Sequence, residues 1–222
     1  MNRIAKNGAA FLLYFVFVGS AFAGGAATRS FSPTAYTPGS TVTVKISIVP
    51  DTTSYIYGVE ELPPAGWTIT NVSDGGTVFN NSLSSVTVKW GLFVGNGIFD
   101  NTSTPSMTPV ARTLTYTARA PSTETGVKAI RTSTACFDGS NFPVGGTATI
   151  GKAPVHPADT TANFAIDVTE YSSALFCWQN HCPSIPTTYF SNLIYLKTKN
   201  NGQYHYDDSI NTTAPNYWLS GQ

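Results

Sequence analysis

The stretch Thr41-Val-Thr-Val-Lys-Ile-Ser-Ile-Val49 alternates branched apolar residues with threonine, lysine and serine. On an extended chain Val42, Val44, Ile46 and Ile48 fall on one side and the polar residues on the other. Period two over this length predicts a half-buried strand, and β-branched side chains suit a pleated surface.

The same pattern continues outward. Residues 55–59 and 67–72 read as strands. Residues 86–90 place Val86, Val88 and Trp90 on one face, and residues 112–118 place Leu114, Tyr116 and Ala118 on one face. Residues 127–133 and 147–150 supply two more. Turn signals separate them at Pro38-Gly39, Pro63 to Gly66, Gly75-Gly76, Pro121, Asp138-Gly139 and Gly145-Gly146. Many short strands with polar turns and no helical period predict an antiparallel β-sandwich over residues 24–151. Trp67, Trp90 and Tyr116 are expected in its core.

Two local features bear on chemistry in this half. Glu60 and Glu61 are adjacent on an extended chain, so they face opposite ways and cannot act on one substrate atom. Tyr55 and Tyr57 together would offer a flat platform for a sugar ring. The reading instead places one in the core and the other alone on the surface.

The N-terminus reads as an export signal. Arg3 and Lys6 precede an apolar run over residues 9–18, and Ala21-Phe22-Ala23 is a small-x-small cleavage site, so residues 1–23 are expected to be removed. The run is short for a bilayer span, and no later one is long enough. The whole chain carries 12 Lys+Arg and 12 Asp+Glu, and cleavage removes two cations, leaving 10 against 12. Only 11% of residues are charged and there is no basic patch, which argues against nucleic acid or an anionic membrane as partner. The protein is expected at the cell surface or outside it, with the periplasm as a further compartment. There Cys136, Cys177 and Cys182 can form a disulfide. Cys177 and Cys182 are the nearer pair, but the pairing stays open. A metal site from Cys177, His181 and Cys182 would lack a fourth ligand and the usual cysteine spacing.

Residues 152–158 read as a Pro-containing linker, and composition changes after it. In Asp159-Thr-Thr-Ala-Asn-Phe-Ala-Ile-Asp-Val-Thr-Glu170, oxygen donors occupy positions 1, 3, 5, 9 and 12 of twelve. That is the ligand spacing of an EF-hand-type calcium loop. Asp159, Thr161, Asn163, Asp167 and Glu170 would bind through side chains and Ala165 through its carbonyl. Position 6 is Phe164, where the turn prefers glycine, and ligand charge is low. Either weak calcium binding, roughly 10⁻⁴ to 10⁻³ M, or a loop that has lost the ion, with Asp159 capping a turn, is expected. A helix follows from about Val168, with Val168, Tyr171, Leu175 and Trp178 as its apolar stripe. A second follows Pro186, capped by Thr187 or Thr188 and carrying Phe190, Leu193, Ile194 and Lys197.

Arg29-Ser-Phe-Ser-Pro33, Tyr36-Thr-Pro-Gly39, Gly58 to Pro63, Gly66-Trp67, Lys89-Trp-Gly91 and Leu114-Thr-Tyr116 together resemble a cohesin-like, carbohydrate-binding-like sandwich module of exported proteins. His156 to Asp159, Asn163, Ile166, Glu170, Trp178, Ile185-Pro186, Tyr204, Pro215 and Trp218 resemble a dockerin-like module over residues 159–222. True dockerins duplicate the calcium loop. The one candidate for a second copy, Asp207-Asp-Ser-Ile-Asn211, lacks an acid at position 12. The resemblance implies a mainly β protein with a small helical dockerin-like module and a non-catalytic role in attachment or adhesion. Its partner would be an extracellular protein or another copy. Polysaccharide binding and a filament role, in which residues 24–36 add to a neighbour's sheet, are the alternatives. No nucleophile–base pair is visible, so an enzyme is not expected.

Overall fold

The structure is a computed structural model that describes residues 25–82, 85–95, 109–181, 185–209 and 212–221. The export signal and Cys182, and with Cys182 the candidate disulfide and metal site, fall outside these residues. Among the described residues no helix is long and apolar enough to cross a membrane. The fold is mainly β, with antiparallel sheets. In chain order the strands are β1 (Gly25–Ser32), β2 (Ala35–Tyr36), β3 (Thr41–Pro50), β4 (Ile56–Leu62), β5 (Thr68–Thr70), β6 (Thr77–Ser82), β7 (Ser85–Val94), β8 (Arg112–Arg119), β9 (Lys128–Ala129), β10 (Thr132–Phe137), β11 (Ser140–Pro143), β12 (Gly145–Gly146) and β13 (Thr149–Lys152). Helices α1 (Val168–Gln179) and α2 (Thr187–Thr198) follow, then strands β14 (Tyr204–Tyr206) and β15 (Trp218–Ser220).

Two five-stranded sheets, β12-β1-β3-β8-β5 and β11-β10-β4-β7-β6, face each other across one apolar core. Val42, Val44, Ile46 and Ile48 of β3 are buried as their period requires, each contributing roughly 1.5–3 kcal/mol. Leu114, Tyr116, Val88, Trp90 and Trp67 join them. Tyr57 is in this core and Tyr55 is outside it. β1 is the longest of the strands the period missed, with β6 and β11 among the others. It pairs with β3 from Gly25↔Pro50 to Ser32↔Thr43, so residues 25–32 belong to the chain's own sheet and are not a free donor arm. Its inward face is Ala27, Arg29 and Phe31, and the inward arginine hides the alternation. Residues 127–133 also divide: β9 pairs with β13, and β10 pairs with β4.

The helical region has its own core of Ala158, Phe164, Ile166, Leu193, Leu196, Tyr204 and Trp218. Residues 152–158 connect the two regions and are built into both. Lys152 pairs with Tyr36 in the β2-β13-β9 sheet, Ala153 N–H donates to Tyr36 O at 2.7 Å, and His156 is fully buried. Asp208 accepts from Thr34 N–H at 2.9 Å and from the Thr34 hydroxyl, and Tyr206 N–H donates to Thr37 Oγ1 at 3.0 Å.

The helix faces differ from the expected stripes. In α1 Tyr171 and Leu175 pack on the helical core as expected and Trp178 stacks on Phe190, but Val168 is 70% exposed and Glu170 and Ala174 join the buried face. The cap explains the rotation: Asp167 is the N-cap, which puts Glu170 in the first turn facing the preceding loop. α2 starts at Pro186 with no side-chain cap bond, so neither Thr187 nor Thr188 caps it. It buries Phe190, Leu193 and Leu196 and leaves Ile194 exposed.

Candidate functional site

The loop over residues 159–170 is a set of carboxylates wrapped in hydrogen-bond donors. Asp159 Oδ2 accepts from Phe164 N–H at 2.8 Å and from the Tyr204 hydroxyl at 2.7 Å. Its Oδ1 accepts from Asn163 N–H at 3.2 Å and Thr161 Oγ1 at 3.3 Å. Glu170 Oε1 accepts from Thr161 N–H and Thr161 Oγ1, both at 3.0 Å, and from Thr160 Oγ1 at 3.2 Å. Its Oε2 accepts from Asp167 N–H at 3.1 Å, while Asp167 Oδ1 accepts from Glu170 N–H at 2.7 Å. That reciprocal pair is a capping box. Burial alone would raise the Glu170 carboxyl, but these hydrogen bonds outweigh it and hold it below the usual carboxylate range.

Phe164 resolves its conflict at position 6 by adopting the left-handed conformation, with φ 61°. The ring is buried against Tyr204, at 5.6 Å between centroids, and burial of an aromatic outweighs a backbone cost of about 1–2 kcal/mol. The backbone then pairs with the far end of the region. Ile166 N–H donates to Gly202 O at 2.9 Å, Tyr204 N–H donates to Phe164 O at 3.1 Å, and Lys197 Nζ donates to Ile166 O at 3.0 Å.

His156 closes the cluster. Its N–H donates to the Tyr204 oxygen at 2.8 Å, its Nδ1 accepts from Ala158 N–H at 3.1 Å, and its Nε2 lies 3.2 Å from Tyr189 O. The ring therefore carries its proton on Nε2 and is neutral. Burial pulls its pKa down to about 4. Burial and the Asp159 carboxylate beside it push the Tyr204 hydroxyl well up.

Of the six residues expected to ligate calcium, three converge. Thr161 Oγ1 lies 3.3 Å from Asp159 Oδ1 and 3.0 Å from Glu170 Oε1, and these hard oxygens fit part of a calcium ligand set. The other three are engaged elsewhere. Asn163 Oδ1 accepts from Ala165 N–H at 2.8 Å, Ala165 bridges to Gln203, and Asp167 caps α1. Among the described residues no group of three His, Cys, Asp or Glu is arranged to hold a metal. In the candidate second loop Asp207 Oδ1 accepts from Ser209 N–H at 2.9 Å, and Asp208 is tied to Thr34. Tyr204, His156 and Lys197 were not anticipated as parts of this cluster. The capping box was legible as Asp167-x-x-Glu170.

The two outer faces of the sandwich differ. That of the β12-β1-β3-β8-β5 sheet presents Thr41, Lys45, Ser47 and Thr113, with Val49 exposed at the end of β3. That of the second sheet presents Leu92, 73% exposed, and Val94, around the Lys89–Glu60 ion pair at 2.6 Å. A shallow depression there is lined by Gly58, Glu60, Lys89, Thr134, Cys136 and Asn141. Tyr55 is the one exposed tyrosine or tryptophan among the described residues of the sandwich.

No protein-family model matches the chain, and no curated protein matches it. Solved structures similar to it include CaCohA2 from Clostridium acetobutylicum, at 15% identity over 59% of this chain and 92% of that one, with a TM-score of 0.38. A non-cellulosomal cohesin from the archaeon Archaeoglobus fulgidus is 11% identical over 58% of this chain and 92% of that one, TM-score 0.36. The chitin-binding domain of a Pyrococcus furiosus chitinase is 12% identical over 56% and 99%, TM-score 0.31.

Proposed function

We propose that this chain is a non-catalytic binding module of an exported protein, and that it holds a protein partner on the outer face of the second sheet. The observation that carries this is the contrast between the two faces. One carries hydroxyls and charges with Val49 alone in solvent, whereas the other leaves Leu92, Val94 and Phe79 in solvent beside an ion pair. Apolar side chains ringed by charge suit a protein surface. The depression beside them is open and shallow, unlike the enclosing pockets that hold small molecules. A lone exposed tyrosine gives little support to a sugar platform. The helical region acts as a clasp on the module, and calcium, where bound, would be held by Asp159, Thr161 and Glu170 and would add charge neutralisation to it.

The test is retention of extracellular proteins from the source culture on the immobilised mature chain. One protein should be held, and Leu92→Asp combined with Glu60→Lys should release it. Lys45→Glu on the opposite face should not. Retention indifferent to the Leu92 and Glu60 changes, or a positive glycan array, overturns the reading. Thermal melts with calcium and with chelator address the ion separately. Equal curves with calcium and with chelator for the native chain would remove calcium from the account.

A further inference from the structure

The four outer strands of the sandwich are not equally protected. β12 is two residues, β5 is three, and β11 is four residues ending in Pro143. Each is too short, or too interrupted, to accept another strand. β6 is different. It runs six residues, Thr77-Val-Phe-Asn-Asn-Ser82, with no charge and no proline. It pairs with β7 on one side, and among the described residues no strand pairs with it on the other. Along residues 77–80 it carries no lysine, proline or inward charge, and the register shift between Asn80 and Ser82 lies at the end of that stretch. Beside it the two sheets part in a slot lined by Trp67, Ile69, Val78, Asn80 and Val86, with Val78 on the slot side and the exposed Phe79 on the outer side.

We propose that β6 is a docking edge for a second copy of this chain, joined antiparallel along residues 77–80. The unpaired N–H and C=O groups of this edge call for an extended partner, and β6 itself is one. A copy brings no charge to the seam, because residues 77–82 carry none. The alternation is self-compatible. Around a two-fold axis the Val78 and Asn80 side chains of both copies lie on the slot side, and both Phe79 rings lie together outside. Phe79 borders the Leu92 face, with Lys89 Nζ 5.8 Å from its ring centroid, so protection of the edge amides is what separates this edge from that face.

The experiment is sedimentation of the mature chain over a concentration series, with amide hydrogen exchange at each concentration. A concentration-dependent dimer is expected, with the amides of residues 77–80 slowing as it forms. Phe79→Lys should weaken the dimer at least tenfold. Leu92→Lys, on the same sheet but away from the edge, should leave it intact. If Phe79→Lys does not fold, exchange on the native chain decides alone. A monomer at every concentration overturns the proposal. So does a dimer whose edge amides exchange as fast as the monomer's, and so does a monomer that instead protects these amides when an unrelated strand peptide is added.

Discussion

The sandwich and the helical region each bury a carboxylate, and they neutralise it in opposite ways. Glu61 points from β4 into the sandwich core. Its Oε1 accepts from Arg29 Nε at 2.9 Å and from the Tyr116 hydroxyl at 2.9 Å, and its Oε2 has no partner among the described residues. Arg29 also donates to Thr147 O at 3.1 Å. Among the described residues no cation pairs with Asp159 or Glu170. Backbone amides and hydroxyls surround them instead. The outcomes diverge accordingly. Burial pushes the Glu61 carboxyl up despite Arg29 and Tyr116, whereas hydrogen bonds hold Glu170 down despite its burial. Several fixed dipoles serve a partly wet carboxylate better than one cation serves a dry one.

The largest expected effect breaks the cation-paired cluster. Glu61→Leu leaves Arg29 buried without its carboxylate and should cost roughly 3–5 kcal/mol in denaturant unfolding. Arg29→Met should cost a similar amount. The combination Arg29→Met, Glu61→Leu and Tyr116→Phe removes every polar member together and should recover most of the loss, since apolar replacement of a buried ion pair is often neutral or better. The unpartnered Oε2 strengthens that expectation, because the native cluster is not fully satisfied. A triple variant as unstable as the singles would show that the pair is a net stabiliser.

The clasp should break more locally. Asp159→Ala strands the amides of Asn163 and Phe164 and the hydroxyl of Tyr204. With buried polar groups left unpaired, a loss of about 2–3 kcal/mol is expected. Hydrogen exchange should place the loss in residues 156–206, with β3 and β8 still protected. Loss of protection throughout the sandwich would show that the two regions unfold as one.

The comparison also marks where sequence was legible. Apolar period two made β3, β7 and β8 readable, and it placed Glu60 and Glu61 on opposite faces without saying which one turns inward. What alternation cannot show is an inward charge with a partner distant in sequence: Arg29 and Glu61 lie on different sheets, and a buried arginine looks like a surface residue until its carboxylate is located. That concealed β1. The loop's spacing made Asp159 and Glu170 stand out, but the same carboxylates suit a cation, a helix cap or a ring of amides. Which donors are present depends on Tyr204 and on the folding of residues 197–204 against the loop.

pH separates the two carboxylates with opposite signs. Glu170 titrates in the fold below its unfolded value, near 4.3. Its contribution is full above that value and is lost as pH falls through the folded one. Glu61 titrates above its unfolded value, so the folded chain takes up a proton first and gains stability as pH falls toward about 4.3. Unfolding measured with chelator present should therefore show the advantage of the native chain over Glu170→Gln, about 1 kcal/mol at neutral pH, shrinking below pH ~4. Its margin over Glu61→Gln should move the other way between neutral pH and about 4. Parallel trends would mean that both carboxylates are neutralised alike.

The smallest expected effect is a gain. Ala162 sits in the clasp with φ 56°, exposed to solvent, and its carbonyl accepts from Lys152 Nζ at 3.3 Å. A β-carbon in the left-handed region costs about 1 kcal/mol, and glycine removes it while keeping the carbonyl. Glycine also loosens the unfolded chain, which offsets part of the gain. Ala162→Gly should stabilise the helical region by roughly 0.5 kcal/mol and slow exchange at Asn163 and Phe164, with β3 and β8 unaffected. Phe164 is the contrasting position. It shares the conformation, with φ 61°, but its ring is buried against Tyr204, so Phe164→Gly should lose far more in packing than it recovers in backbone freedom. Opposite signs at two residues of one loop, both left-handed, would show that the loop's shape is held by what Phe164 buries, with the backbone strain as its cost. A loss at Ala162 as well would mean that the left-handed turn is itself favoured by its surroundings, and that the amide ring around Asp159 sets the loop without help from the core.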